Sequence, residues 1–329
     1  MCPFFNLCKK EKNEIGAIGT IGGMEKPKKI ALFYYTQTGQ ALQIADKICE
    51  PLEEAGCEVV RKEIVPEEPY PFPWSAMDFF EVFPESRLGV PCKLKPIDLS
   101  DVEDADLVLI AGQSWYLSWS VPLHAFFQSE EIQRFLKGRN IVVSMGCRNM
   151  WVMTQSHTCD YFRRIGGHYV GFISLQDKAA NLVSAITIIR WLFYDKKSAT
   201  RLFPAAGVSP EDMDNATAYG RIILDALERD DYAGMQEKLM GKNAVTFLST
   251  VYFVEKNGYN LWGQWARFIL KKGAYNDPKR KPYLRIFCAY LFFVLFVVSP
   301  FGMIFFFLTY PFRRASLRKA KREMCYELN

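Results

Sequence analysis

Short apolar runs alternating with helical patterns organise the chain between residues 28 and 194. Residues 30–35 (IALFYY) form a continuous apolar and aromatic run, bounded by lysines on one side and turn residues on the other. That is the pattern of a strand buried on both faces of a parallel sheet. Leu42, Ala45 and Ile48 then recur at helical spacing, and Gly56 supplies a stop. Further strands are predicted at 58–65, 106–111, 141–145 and 170–175. Helices are predicted at 122–136, 181–194 and 209–229, with one or two helical turns at 76–83. Within 181–194, Leu182, Ile186, Ile189 and Phe193 share one face. At 209–212, Ser-Pro-Glu-Asp gives an N-cap, a first-turn proline and acid. Five strands alternating with helices predict an α/β fold with a doubly wound, five-stranded parallel sheet.

Two stretches break this rhythm. Pro66, Pro69, Pro71 and Pro73, interleaved with Tyr70, Phe72 and Trp74, exclude a regular element before the third strand. So long an irregular segment is either a lid or binding loop, or a surface excursion that lays its aromatics on the sheet. The second stretch, 286–312, has 27 residues without a charge, enough to cross an apolar layer of ~30 Å. Lys279, Arg280, Lys281 and Arg285 precede it, and Arg313, Arg314, Arg318, Lys319, Lys321 and Arg322 follow it. A single span would leave one basic flank outside, against the positive-inside tendency. Ser299-Pro300-Phe301-Gly302 carries the residues of a tight turn, so a re-entrant helical hairpin with both basic ends in the cytoplasm is expected. One tilted helix kinked at Pro300 is the alternative. Trp262, Trp265 and Phe268 read as an interfacial lead-in.

Charge sharpens this division. The net charge is +5, but residues 267–329 hold 13 Lys and Arg against 3 Asp and Glu, leaving a net −5 for the remainder. Basicity confined to the C-terminal part argues against nucleic acid and for an anionic membrane surface. Nine cysteines without C-x-x-C pairs indicate neither a disulfide framework nor a zinc site, and three histidines lack metal-ligand spacing. The expected divisions are a disordered extension at 1–27, in which Met24 is a natural start; an α/β domain at 28–240; an amphipathic basic connector at 241–285; the membrane segment at 286–312; and a basic cytoplasmic tail at 313–329.

The candidate chemistry lies where strands end, since ligands of open α/β sheets bind at the carboxyl edge. Thr36, Gln37, Thr38, Gly39 and Gln40 join the first strand to its helix. Unpaired N–H groups and the positive end of the macrodipole stabilise a phosphate monoester there without a lysine. Thr36 and Thr38 add hydroxyls, and Gly39 permits close backbone approach. The dinucleotide pattern G-x-G-x-x-G and the P-loop lysine are both absent. Gln113, Ser114, Trp115 and Tyr116 follow the third strand, offering aromatic stacking area. Gly146, Cys147, Arg148 and Asn149 follow the fourth. Arg148 is a candidate for holding an anionic ring or an acidic substrate group, or is paired to a carboxylate at the sheet edge. His157, one or two helical turns further on, is a candidate general acid. Cys147 has no neighbouring base and is not read as a nucleophile.

Thr36, Thr38 and Gly39 resemble the T-x-T-G-x-T phosphate loop of flavodoxin-like FMN proteins, with Ala41 in place of the last threonine. The resemblance covers roughly residues 28–194 and implies FMN as cofactor, with its ring between the loops at 113–116 and 146–151. More narrowly, Tyr35 to Gln40, the loop from Gly146 to Trp151, Asn181-Leu182 and Arg190-Trp191-Leu192-Phe193 resemble bacterial dialkylresorcinol-condensing enzymes. That similarity implies a flavoprotein that oxidises a lipid-like cyclohexanedione to a resorcinol beside a ketosynthase partner. The basic flanks put the chain on the cytoplasmic side of the cell membrane, and a homo-oligomer is also open. An electron carrier for a membrane partner and a docking scaffold without cofactor are the competing readings.

Overall fold

The computed structural model describes residues 27–328; the expected extension and its internal start at Met24 lie, Pro27 apart, outside them. In chain order the elements are β1 (Lys29–Tyr34), α1 (Gln40–Glu54), β2 (Glu58–Glu63), α2 (Ala76–Glu81), α3 (Phe83–Leu88), β3 (Leu107–Trp115), β4 (Ser118–Trp119), α4 (Val121–Gln128), α5 (Glu130–Leu136), β5 (Asn140–Cys147), α6 (Val152–Ile165), β6 (His168–Gln176), α7 (Asn181–Tyr194), α8 (Pro210–Asp214), α9 (Thr217–Arg229), α10 (Met235–Gly241), α11 (Ser249–Leu270), α12 (Lys281–Phe293) and α13 (Ser299–Cys325).

The five long strands are parallel in the order β2-β1-β3-β5-β6, and β4 folds back antiparallel on the end of β3. Ile30, Ala31, Leu32 and Phe33 are all fully buried. Since successive strand residues point to opposite faces, both faces of the sheet are covered. Phe33 packs on Phe126 of α4 and Phe135 of α5, with ring centroids 5.1 and 5.5 Å apart. Gly220 lets α9 lie against α1, because a Cβ there would sit 2.0 Å from the Ile48 carbonyl.

Several elements depart from the sequence reading. The helix expected over 122–136 is two, broken at Ser129, which caps α5 through its hydroxyl. The helix expected over 209–229 breaks at Asn215 and Ala216, although Ser209 caps α8 from Oγ to the Asp212 N–H at 3.1 Å. The strand expected to end at Ala111 continues to Trp115 and forms a hairpin with β4. Its turn residues, Tyr116 (φ 50) and Leu117 (φ 63), are both left-handed. No Asn-Gly pair announces such a turn; packing imposes it. Tyr116 is held by its hydroxyl donating to the Phe79 carbonyl at 2.7 Å and by rings of Phe79 and Phe83.

The expected helical hairpin at 286–312 is replaced by one continuous helix from Pro278 to Cys325. A π-helical turn at Val294–Val298 precedes Pro300 and absorbs its missing N–H and ring bulk, so no reversal occurs. Nor is the tail free: Cys325 and Leu328 are buried in the main core, and the Cys325 carbonyl accepts from Gln236 Nε2 at 2.8 Å. At the other end Arg280 is bound to Glu81 and Glu85. Both ends of this helix therefore pack against the α/β domain. Along its length α11 runs beside it, with Ala266 and Ile269 clustered with Leu284 and Phe287, and Phe253 5.5 Å from Phe306. Trp262 and Trp265, expected at a lipid interface, pack on Phe287 instead. The outer face carries Phe301, Phe307, Leu308 and Phe312, exposed by 68, 61, 72 and 89%.

Candidate functional site

A cavity of about 220 Å³ opens at the carboxyl edge of the sheet, between the loop before α1, the ends of β3 and β5, and α7. Its floor follows from the change of period between β1 and α1. Gly39 takes φ 79 as the N-cap of α1, no side chain caps the helix, and no acidic residue occupies its first turn. The first N–H groups of a 15-residue helix are thus left to an anion. Thr36 Oγ1 is buried beside them without a hydrogen-bond partner. Gln37 is braced: its Oε1 accepts from Tyr35 OH at 2.5 Å, and its Nε2 donates to the Tyr70 and Pro71 carbonyls at 3.2 and 2.8 Å. Gln40 lines the cavity with its amide already engaged, both amide atoms pairing with the Val208 backbone.

The aromatic wall answers the question left by the proline-rich segment, which folds over the cavity. Trp115 meets Tyr35, Tyr70 and Trp74 at 5.5–5.9 Å, mostly edge to face. The Trp74 N–H donates to the Leu192 carbonyl at 2.8 Å, which fastens the segment to α7. Gln113 accepts from the Gln37 N–H at 3.3 Å. Ser114 spends its hydroxyl on Thr154 Oγ1 and the Ser118 carbonyl, both at 3.0 Å.

At the end of β5, Gly146 and Cys147 belong to the strand rather than to a loop. Burial pushes the Cys147 thiol up to about 12, so it stays protonated and inert. Burial also lowers the pKa of Arg148, opposed by the charge of Asp177. Asp177 is itself buried and accepts from the Ala179 N–H, Ser184 Oγ and the Gly207 N–H at 2.9, 2.9 and 3.3 Å. It thereby straps the end of β6 to α7 and to the loop at Gly207.

The structure brings Gln37, Thr38, Gln40, Gln113, Ser114, Trp115, Tyr116, Gly146, Cys147 and Arg148 to one cavity. Thr36 and Gly39 lie in the loop beneath it, while Asn149 is buried outside its lining. His157 does not reach this cleft; it sits on α6 against the Tyr259 hydroxyl and lines a different cavity. Its expected role as general acid here is corrected by that placement. Sequence reasoning reached Trp74 only through its segment, read as a lid or binding loop or a surface excursion, and missed Phe79 and Gly207 as lining residues. Only Gly207 left a signal, an isolated loop glycine: at φ 83 a Cβ would come within 2.7 Å of Trp191 and 2.8 Å of Gln40. Among the described residues no group of His, Cys, Asp and Glu suited to a metal ion occurs.

The strand order, with an uncapped helix N-terminus and a cavity at the carboxyl edge, defines a flavodoxin-like parallel α/β protein. Among solved structures the chain is similar to a flavodoxin from the domain Archaea, at 11% identity and TM-score 0.36, over 61% of this chain and 99% of that one. It is also similar to a flavoprotein in complex with FMN from Lactobacillus acidophilus NCFM, at 16% identity and TM-score 0.37, over 45% and 93%. RosB with a bound 8-demethyl-8-formylriboflavin-5'-phosphate intermediate gives 13% identity and TM-score 0.31, over 47% and 67%. No family model and no curated protein matches the chain.

Proposed function

We propose that this chain is an FMN-dependent oxidoreductase that works at a membrane surface on a lipid-like substrate. The observation that carries the reading is the uncapped N-terminus of α1 opening into an aromatic cavity at the sheet edge. The donor set suits a phosphate monoester: free helix N–H groups, the Thr38 hydroxyl and the unpartnered Thr36 hydroxyl. Gln113 and the backbone around Gly146 would face the polar edge of a flavin, with Trp115 and Trp191 as apolar walls. When bound, FMN would supply a two-electron acceptor for hydride. The residues here shelter the cavity: Trp74 and the proline-rich segment wall one side, while Asp177 and Gln40 hold the loop at Gly207 against α1 and α7. Such shelter favours a substrate site over the open edge an electron carrier needs.

The exposed phenylalanines of α13, flanked by Arg313, Arg314 and Arg318, suit an anionic bilayer surface. With both helix ends on one domain, the helix lies in the interface plane rather than across it. We place that surface on the cytoplasmic side of the cell membrane, where the basic residues would face anionic lipid. In the finer reading the substrate is a dialkyl cyclohexanedione delivered by a ketosynthase and oxidised to a resorcinol.

The first test is the visible spectrum of the detergent-purified chain. Flavin bands with FMN released on heating are expected, and Thr38→Val should weaken FMN about tenfold. A colourless protein that takes up no added FMN would leave only the docking scaffold. Bleaching of the bound flavin by a dialkyl cyclohexanedione without oxygen separates the oxidase from the electron carrier.

A further inference from the structure

A second cavity, of about 340 Å³, shares no lining residue with the first and lies among α3, β4, α4, α6 and α11. Arg87 and Arg267 line it together with His124, His157, Ser118 and Asn260, and none of its lining residues is an aspartate or glutamate. Arg87 is only 6% exposed, yet forms no ion pair among the described residues. Two of its five N–H donors go to the Tyr259 carbonyl, at 3.2 and 2.5 Å, and its guanidinium lies 3.3 Å from the Tyr259 ring centre. The others have no acceptor among the described residues. Arg267 is equally without a carboxylate partner among the described residues, and it crowds the same spot. A Cβ on Gly263 would sit 3.1 Å from Arg87 Nη2 and 3.6 Å from Arg267 Nη1.

A buried cation normally has a counter-charge, because removing it from water unpaired is costly. Here two like charges converge on a glycine and face the Asn260 amide, while the Ser118 hydroxyl pairs with His124 Nε2 at 2.9 Å and the Tyr259 hydroxyl with His157. We propose that this cavity binds a phosphate group, held by the guanidiniums of Arg87 and Arg267. Arginine suits that ligand because its planar fork meets two phosphate oxygens at once. Burial lowers the pKa of both histidines, His124 to about 4, so at neutral pH they add hydrogen-bonding atoms rather than charge.

The phosphate has two possible sources, a soluble phosphomonoester or a lipid headgroup. α11 separates the cavity from the apolar helix: Gly263 and Arg267 face one way, Trp262 and Ala266 the other. A helix is about 10 Å across, so a headgroup at the interface is within reach.

Inorganic phosphate, titrated against the full chain in detergent at constant ionic strength, is expected to raise the unfolding temperature. Arg267→Gln, at an exposed position, should weaken that binding about tenfold or more. Arg221→Gln, the same charge change at an exposed position on α9 that lines neither cavity, should leave it unchanged. Phosphatidylcholine vesicles carrying phosphatidic acid form the second arm. If phosphate has no effect but Arg267→Gln, unlike Arg221→Gln, weakens vesicle binding, the ligand is a lipid headgroup. If only the response to inorganic phosphate is lost, the ligand is soluble. Identical behaviour of the wild type and Arg267→Gln toward both probes overturns the site.

Discussion

Arg280 and Arg87 are both buried cations at helix α3, and they are treated in opposite ways. Arg280, fully buried, donates to both carboxylate oxygens of Glu85 at 2.6 and 2.8 Å and to the Glu81 carbonyl at 2.6 Å, with Glu81 Oε1 3.1 Å from its Nε. Arg87, two residues beyond Glu85, has a carbonyl and an aromatic ring but no carboxylate. Charge pairing closes a joint: Arg280, with only its Nε left without a hydrogen-bond acceptor, fastens the start of the long apolar helix to α2 and α3. Incomplete pairing beside a cavity leaves a place for an anion. What separates the two is the cavity: Arg87 faces open space lined by donors, whereas Arg280 is enclosed by protein on every side.

The largest expected effect comes from breaking the closed case. Arg280→Met leaves two carboxylates buried without their cation and should cost about 3–5 kcal/mol of stability in denaturant titration. Removing all three charges together, as Glu81→Gln, Glu85→Gln and Arg280→Met, should recover most of that loss. A single variant no less stable than the triple one would show that the joint contributes nothing.

Glu255 extends the comparison to an anion. It is 1% exposed, forms no ion pair among the described residues, and accepts from the Met153 N–H at 2.8 Å, so α11 supplies the cap that α6 lacks. Burial pushes its carboxyl from 4.5 up to about 7, against the backbone N–H groups of Met153, Val152 and Trp151. Between those values the folded chain keeps a proton that the unfolded chain has lost. Stability should therefore fall as pH rises through that window, by about 3 kcal/mol, and level off above it. Glu255→Gln should abolish the slope. An unchanged pH profile would mean that Glu255 is ionised throughout the window.

The α/β framework was legible because its signals are local. Residues 30–35 and 181–194 carry periods that packing had no reason to override, and the observed α7 has the predicted bounds. The uncapped turn into α1 was legible for the same reason, since the helix N-terminus and Gly39 are adjacent in sequence. What stayed hidden depends on distance. Trp74 reaches the cavity because its N–H binds Leu192, and Tyr116 turns left-handed because Phe79 and Phe83 hold it. Arg87 and Arg267 are 180 positions apart and meet only at Gly263. The hairpin reading of 299–302 failed because a π turn upstream of Pro300 relieves the strain that would otherwise have ended the helix.

The smallest effect would convert the open case into the closed one. Asn260 lines the second cavity at an exposed position on α11, where a carboxylate would face the two guanidiniums. Asn260→Asp should stabilise the chain without phosphate by about 0.5–1 kcal/mol, the scale of a solvent-accessible ion pair. Because the same carboxylate repels an incoming anion, the phosphate-dependent rise in unfolding temperature should shrink at the same time. The two changes must come together, since each follows from neutralising one pair of charges. Stabilisation with an undiminished phosphate response would place the bound anion elsewhere and leave Arg87 as a structural residue like Arg280.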